Sequence, residues 1–253
     1  MKHKKPAKNA AKAPRPAFVV FGHHAVEKAI QAGRVELLMC DSGRQDQRMQ
    51  DTLAQYSGQV MQMDKTQLND KVGHSMHQGI VAEVKAPPVL SESALEDVLQ
   101  NAEKPFFLIL DQVQDPHNLG ACLRTANAVG VDAVIVPKDR AASMTSVVYK
   151  VASGAAEFTP LIQVTNLART LKMLKQEGVW LVGTSDATEK NISEQDLTGS
   201  LAIVMGAEGT GMRQQTTELC DYLAKIPMKG EVESLNVSVA TGVVLYECLR
   251  QRS

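Results

Sequence analysis

Asp111-Gln-Val-Gln-Asp-Pro-His-Asn-Leu-Gly-Ala-Cys-Leu-Arg-Thr-Ala-Asn-Ala-Val-Gly130 is the stretch that decides the fold. The five residues before it, Phe106–Leu110, are apolar at every position. A strand covered on both faces has that pattern. Asp115-Pro116 marks a turn, and Asn118 is expected to be the N-cap of the helix that follows. Leu119, Leu123 and Ala126 form the core stripe of that helix, while Arg124 stands about 140° away from Leu119 and off the stripe. Asn118 and Arg124 therefore fall at the carboxyl edge of a parallel sheet, where open α/β folds place their ligands. A helix cap and a surface arginine would satisfy the same spacing.

Downstream the alternation continues. Strands are expected at Phe106–Asp111, Ala133–Pro137, Thr159–Val164, Trp180–Thr184, Leu201–Met205 and Ala224–Pro227, with helices between several of them. Short, doubly apolar strands separated by helices indicate an α/β fold with a mostly parallel sheet. A second polar constellation is Leu201-Ala-Ile-Val-Met-Gly-Ala-Glu-Gly-Thr-Gly-Met-Arg213, a buried strand running into a turn with Gly206, Gly209 and Gly211. No Gly-Lys-Ser/Thr follows, and Glu208 inside the turn would repel a phosphate. The turn suits a cationic partner, such as an arginine or a sulfonium-bearing ligand; a tight turn that simply needs glycine is the plainer alternative.

The third constellation is Ile226-Pro-Met-Lys-Gly-Glu-Val-Glu-Ser-Leu-Asn-Val-Ser-Val-Ala-Thr-Gly-Val-Val-Leu-Tyr-Glu-Cys-Leu249. Ser234 is expected to cap a long helix. Leu235, Val239, Val243 and Tyr246 form one apolar stripe, and Val237, Ala240 and Val244 another. A helix apolar on so many sides is expected to be buried, in part by another subunit. Polar Asn236 and Ser238 near its start need hydrogen-bond partners there.

Upstream, residues 17–85 read as a small α/β unit. Its strands are Phe18–Phe21, Val35–Cys40, Val60–Met63 and Gly79–Lys85. Its helices are His24–Ala32, Gln45–Tyr56 and one capped by Asp64 that runs to Val72. Pro87-Pro88 stops regular structure, so residues 86–104 are expected to be a linker with a helical piece at Ser91–Asn101, ahead of a second domain over residues 105–253.

Charge is unevenly spread. The 253-residue chain has 27 basic and 28 acidic residues, a formal net charge of −1. Residues 1–16 carry six of the basic residues and no acid, which leaves 21 basic against 28 acidic residues, or −7, over residues 17–253. The segment 1–16 is read as a disordered basic tail that attracts phosphate or merely aids solubility. The longest apolar runs, such as Leu201–Met205, are too short to span a bilayer, and the N-terminus lacks the apolar stretch of a secretory signal. Cys40, Cys122, Cys220 and Cys248 lie far apart with no metal-ligand spacing, as expected of reduced core thiols in a cytoplasmic protein.

Taken together and in this order, the three constellations resemble the motifs of the SpoU (TrmH-like) branch of the SPOUT RNA methyltransferases. Asp115-Pro-His-Asn-Leu-Gly with Arg124-Thr-Ala, Val204-Met-Gly-Ala-Glu-Gly-Thr-Gly-Met, and Ile226-Pro-Met with Ser234-Leu-Asn-Val-Ser-Val-Ala carry the likeness. Val20-Phe-Gly-His-His-Ala-Val-Glu and His77-Gln-Gly-Ile-Val-Ala resemble the small, ribosomal-protein-like substrate-binding domain of those members that methylate 23S rRNA. The likeness spans about residues 17–252.

The resemblance implies a SPOUT-type catalytic domain with a C-terminal trefoil knot, S-adenosyl-L-methionine as cofactor, and a homodimer. It implies methylation of the ribose 2′-hydroxyl of a guanosine in the peptidyl-transferase loop of 23S rRNA. Gly206, Ile226 and Leu235 would line the cofactor pocket; Arg124, Asn118, Glu208, Ser234 and Asn236 would be the catalytic set, with no metal. Arg124 would activate the 2′-hydroxyl. A guanidinium is not normally deprotonated, so either a substrate phosphate acts with Arg124 or Arg124 chiefly stabilises the forming alkoxide. His117 is the alternative base.

The same chemistry on tRNA and a non-catalytic RNA-binding or ribosome-assembly factor are the competing functions. His23, His24, His74 and His77 are read as packing or solvent-exposed residues, with RNA contact as the alternative. Lys28, Arg34, Arg44, Lys138, Arg140 and Lys150 are the candidate phosphate contacts.

Overall fold

The computed structural model describes residues 18–253 except 74, 87 and 233. The basic tail and His74 lie outside the described residues.

The small unit is a four-stranded sheet of β1 (Phe18–Phe21), β2 (Val35–Asp41), β3 (Val60–Met63) and β4 (Ile80–Val84), in the order β1-β4-β2-β3. β4 runs antiparallel to β1 and β2, and β2 runs parallel to β3. Helices α1 (His23–Gln31), α2 (Gln47–Ala54) and α3 (Lys65–Val72) complete it. Asp64 caps α3 reciprocally: Gln67 N–H donates to Asp64 Oδ1 at 2.9 Å, and Asp64 N–H donates to Gln67 Oε1 at 3.0 Å.

The large unit contains β5 (Leu90–Ser91), α4 (Ala94–Asn101), β6 (Phe106–Asp111), α5 (Pro116–Val129), β7 (Ala133–Pro137), α6 (Ser146–Ala152), β8 (Leu161–Val164), α7 (Leu167–Gln176), β9 (Trp180–Thr184), β10 (Leu201–Gly206), α8 (Gln214–Leu219), β11 (Tyr222–Ala224) and α9 (Val237–Arg252). Its seven strands lie in the order β11-β9-β10-β6-β7-β8-β5, and every pairing between them is parallel. Alternate side chains of β6 enter opposite layers. Leu108 and Leu110 pack with Leu119 and Leu123 of α5 and Val244 and Leu245 of α9. Phe107 and Ile109 pack with Leu95 of α4 and Leu171 and Leu174 of α7. A two-sided core requires the unbroken apolar strand seen in the sequence.

The chain leaves β6 through β7 and β8 on one side, then crosses to build β9 and β10 on the other. β10 returns next to β6, so the strand order reverses between them, with Gly206 beside Asp111 in register. Their carboxyl ends form the crevice where such folds bind ligands.

Three expectations change. Residues 86–104 are more than a connector: Leu90–Ser91 pairs with β8 as the sheet's edge, and Leu95 is fully buried. The last strand is Tyr222–Ala224, not Ala224–Pro227. Beyond Ala224 the Lys225 N–H donates to Lys190 O at 2.9 Å, and Pro227 has no N–H to give. Finally, Val239, Val243 and Tyr246 of α9 are exposed at 53%, 42% and 55%, while Val237, Val244 and Leu245 are buried.

The two units share a packed boundary. Tyr149 of α6 enters the core of the small unit and meets Phe18 edge-on, with ring centroids 5.3 Å apart. His24 stacks on Phe158 at 4.8 Å. Arg34 pairs with Glu157, both side chains nearly out of solvent. This corrects the reading of Arg34 as a phosphate contact: a buried guanidinium needs its carboxylate, and burial already holds its pKa below the usual arginine value. Lys138, Arg140 and Lys150 are exposed. Arg44 is engaged by Asp46 and by Gln78 O at 2.7 Å.

Candidate active site

Three loops meet at the carboxyl edge, and each is set by its local sequence. After β6 the chain turns at Gln112, which has φ 66°. Asp115 then accepts the His117 N–H at 3.0 Å, with Pro116 as the first helical residue. Asp115 is therefore the N-cap of α5, not Asn118. The physical reason is the proline, whose missing N–H and fixed φ make the residue before it the natural cap. Asn118 sits within the first turn, so its amide is free to point sideways.

After β10 the chain makes a tight loop. Ala207 and Gly211 exchange backbone hydrogen bonds of 3.0 and 2.8 Å. A Cβ on Gly206 would stand 2.1 Å from the Gly211 carbonyl carbon, so only glycine fits there. The loop carries Glu208 outward with an exposed side chain.

Before α9 the cap is Asn236, not Ser234. Asn236 Oδ1 accepts from Ser238 N–H at 3.0 Å and from Ser238 Oγ–H at 2.7 Å. Both serine and asparagine cap well, and the helix begins two residues later than Ser234 would set it. Because Oδ1 accepts a backbone N–H, Nδ2 must be the donor. It donates to Asn118 Oδ1 and to Glu208 Oε2, each at 3.1 Å. One amide thus joins the three constellations across separations of 118 and 28 residues.

The remaining site residues are placed differently. Arg124 lies two turns further along α5, exposed and without a hydrogen bond or ion pair among the described residues. Ser234 is likewise exposed and forms no hydrogen bond to a described residue. Gly206, Ile226 and Leu235 are half-buried at the same edge, and Ile226 packs against the core. His117 is exposed.

His23 and His77 are buried instead. His77 Nδ1 accepts from Gly79 N–H and its Nε2 faces Asn69 Oδ1, each at 3.0 Å, which makes it a turn-holding residue. His23 Nδ1 meets Thr52 Oγ1 at 3.1 Å, and burial, ahead of the nearby Arg48 and Arg44 charges, lowers its pKa.

One feature of the edge was not foreseen in the sequence. Asp111, fully buried at the end of β6, accepts the Arg213 backbone N–H at 2.9 Å and its Nε–H at 2.8 Å. A charged residue ending an otherwise apolar strand was the available signal; its partner, 102 residues away, was not.

The donor set fits a sulfonium-bearing cofactor. Gly209 and Gly211 have open space beside them, so ligand and backbone can approach closely, and Glu208 supplies a carboxylate. Arg213, which follows the loop in sequence, is already engaged by Asp111. Among the described residues no group of three or more His, Cys, Asp or Glu is placed to hold a metal, and no helix is long and apolar enough to cross a membrane. The cysteines are all free; burial raises the Cys122 thiol to about 11 and those of Cys220 and Cys248 to about 12.

A parallel sheet with a reversal in strand order, a glycine loop that carries an acid, and a helix-capping amide that ties the loops together define an α/β protein with a ligand crevice at the carboxyl edge of its sheet. The SpoU rRNA Methylase family model matches residues 105–246, and a model for RNA 2′-O ribose methyltransferase substrate binding matches residues 19–90. The chain belongs to the SpoU family.

A relative from Vibrio cholerae named 23S rRNA (guanosine-2′-O-)-methyltransferase RlmB is 52% identical over 92% of this chain and 97% of its own length. A solved RNA 2′-O ribose methyltransferase is 28% identical, with a TM-score of 0.72 over 94% of this chain and 90% of that one. The SpoU methyltransferase AviRb from Streptomyces viridochromogenes, solved in complex with AdoMet, shares the fold at a TM-score of 0.71 and 24% identity, over 93% of this chain and 90% of that one.

Proposed function

We propose that the protein transfers a methyl group from S-adenosyl-L-methionine to the ribose 2′-hydroxyl of a guanosine in the peptidyl-transferase loop of 23S rRNA. The observation that carries this reading is the Asn236 amide held between Asn118 and Glu208 at the crevice of a SpoU domain. The half-identical relative named for the reaction, together with the substrate-binding match over residues 19–90, supports rRNA as the substrate.

When bound, the cofactor supplies an electrophilic methyl group on a sulfonium. Gly206, Ile226 and Leu235 would hold it, and the Glu208 carboxylate would balance its positive charge. Asn236 holds the Glu208 side chain and is itself oriented by Asn118, so the site is ordered before substrate arrives, and positioning of this kind supplies several kcal/mol of a barrier. Arg124, exposed and unpaired among the described residues, is placed to meet the RNA; it stabilises the forming alkoxide or acts with a substrate phosphate. Ser234, exposed beside the Asn236 cap, contacts ribose or cofactor.

The exposed apolar stripe Val239, Val243 and Tyr246 is the surface a second copy covers, giving a homodimer. The C-terminal segment is read as knotted, and the enzyme as working in the cytoplasm, where its rRNA substrate is made.

The test is methyl transfer in vitro. Purified protein, labelled S-adenosyl-L-methionine and either 23S rRNA or tRNA are incubated and the nucleosides separated. Label in 2′-O-methylguanosine from 23S rRNA supports the reading. Label in tRNA alone, or cofactor binding without transfer to any RNA, overturns it.

A further inference from the structure

We propose that Asp111 and Arg213 are a positioning pair that clamps the glycine loop, so that Glu208 is presented to Asn236. The inference rests on reading this edge as the methyltransferase site and adds to it a residue pair outside the expected catalytic set.

Among the described residues Asp111 is the only acid with no exposed surface. It stands beside Gly206 in register, at the point where the loop begins. Arg213 stands where the loop ends, as the N-cap residue of α8. Both oxygens of the Asp111 carboxylate are used on Arg213: Oδ2 accepts the backbone N–H at 2.9 Å, while Oδ1 accepts Nε–H at 2.8 Å and lies 2.7 Å from a terminal nitrogen.

One buried side chain thus fixes the far end of the loop to the strand that defines its near end. Between these anchors lie only Ala207–Met212, and Gly206 is so close to Gly211 that any slack in the loop would be spent against backbone. Glu208 reaches Asn236 from within that span. The arrangement suits a guanidinium, whose Nε–H donates to Oδ1 while a terminal nitrogen adds the close ion pair without a hydrogen bond of its own among the described residues; a lysine ammonium offers only a point charge.

Losing Arg213 strands a fully buried carboxylate and losing Asp111 strands a partly buried guanidinium, and either costs stability, so activity loss by itself would not separate positioning from folding. The experiment is therefore a double-mutant cycle of Asp111→Asn, Arg213→Met and the pair, with Arg213→Lys as the conservative variant. It is read by kcat, by KM for 23S rRNA, by S-adenosyl-L-methionine affinity and by hydrogen exchange over residues 204–214.

Each single variant is expected to lower kcat about tenfold or more and to weaken cofactor binding, with KM for RNA within about twofold. The double variant should be no worse than the poorer single, and Arg213→Lys should fall between it and wild type. Exchange should rise in the loop while β6 and β10 stay protected. Multiplicative losses, or a folded variant with unchanged kcat and loop exchange, would overturn the pair. If Arg213→Met, which strands the buried Asp111 carboxylate, does not fold, Asp111→Asn and Arg213→Lys give the same decision, because the Arg213 left behind in the first is partly exposed and the second keeps the charge. A wild type that methylates no rRNA sinks the function while the exchange result still decides the clamp.

Discussion

Asn236 does two jobs with one amide. Its oxygen caps α9 and its nitrogen holds Asn118 and Glu208. Replacing it with alanine costs about 1 kcal/mol as a lost cap, measurable by urea unfolding. The loss of turnover should be larger, about tenfold to a hundredfold, since two constellations are released at once. Turnover that falls no further than the folded fraction would reduce Asn236 to a cap.

His23 gives a pH signature. Its folded pKa is depressed from 6.5, chiefly by burial, so the folded state resists protonation that the unfolded chain accepts. Its contribution is complete above 6.5 and is lost as pH falls from there toward the lowered value. Urea midpoints at about pH 7.5 and 5.5 should differ more for the wild type than for His23→Gln. Equal differences would show that His23 plays no part.

At the scale of the element, the apolar strands and the alternation of strand with helix were legible because period and composition are local. Phe106–Asp111 and Trp180–Thr184 are found where the sequence places them. Caps were less legible. Asp115 and Asn118, like Ser234 and Asn236, are all good capping residues, and only the helix register, with Pro116 in one case, decides between them. The two-residue strand Leu90–Ser91 is too short to show any period, so residues 86–104 read as a linker. The meeting of Asn118, Glu208 and Asn236 was implied by family likeness; the Asp111–Arg213 pair had no local signature. Element reasoning also makes α9 testable. Val243→Glu places a charge in the exposed stripe without touching buried Val244. Sedimentation should then show a dimer become a monomer with unchanged circular dichroism. A wild type that is already monomeric contradicts the dimer.

Over the whole molecule, the charge split no longer argues against an RNA substrate. The body is acidic, and its cationic candidates at the surface are few and local, with Arg34 removed from them by Glu157. The two units are joined by that ion pair, by Tyr149 and by the His24–Phe158 stack. Glu157→Gln would leave the Arg34 guanidinium buried without its counter-charge, and should cost about 3 kcal/mol by thermal or urea unfolding. A change under about 1 kcal/mol would mean that water already reaches the pair.

The most direct measurement is a map of 2′-O-methylation across 23S rRNA and tRNA from cells lacking this gene, with the gene restored as wild type or as Arg124→Ala. The expected result is one guanosine of the peptidyl-transferase loop that loses its methyl group, regains it with the wild type and does not regain it with Arg124→Ala. An unchanged rRNA map in the deletion strain, or full restoration by Arg124→Ala, would contradict the account.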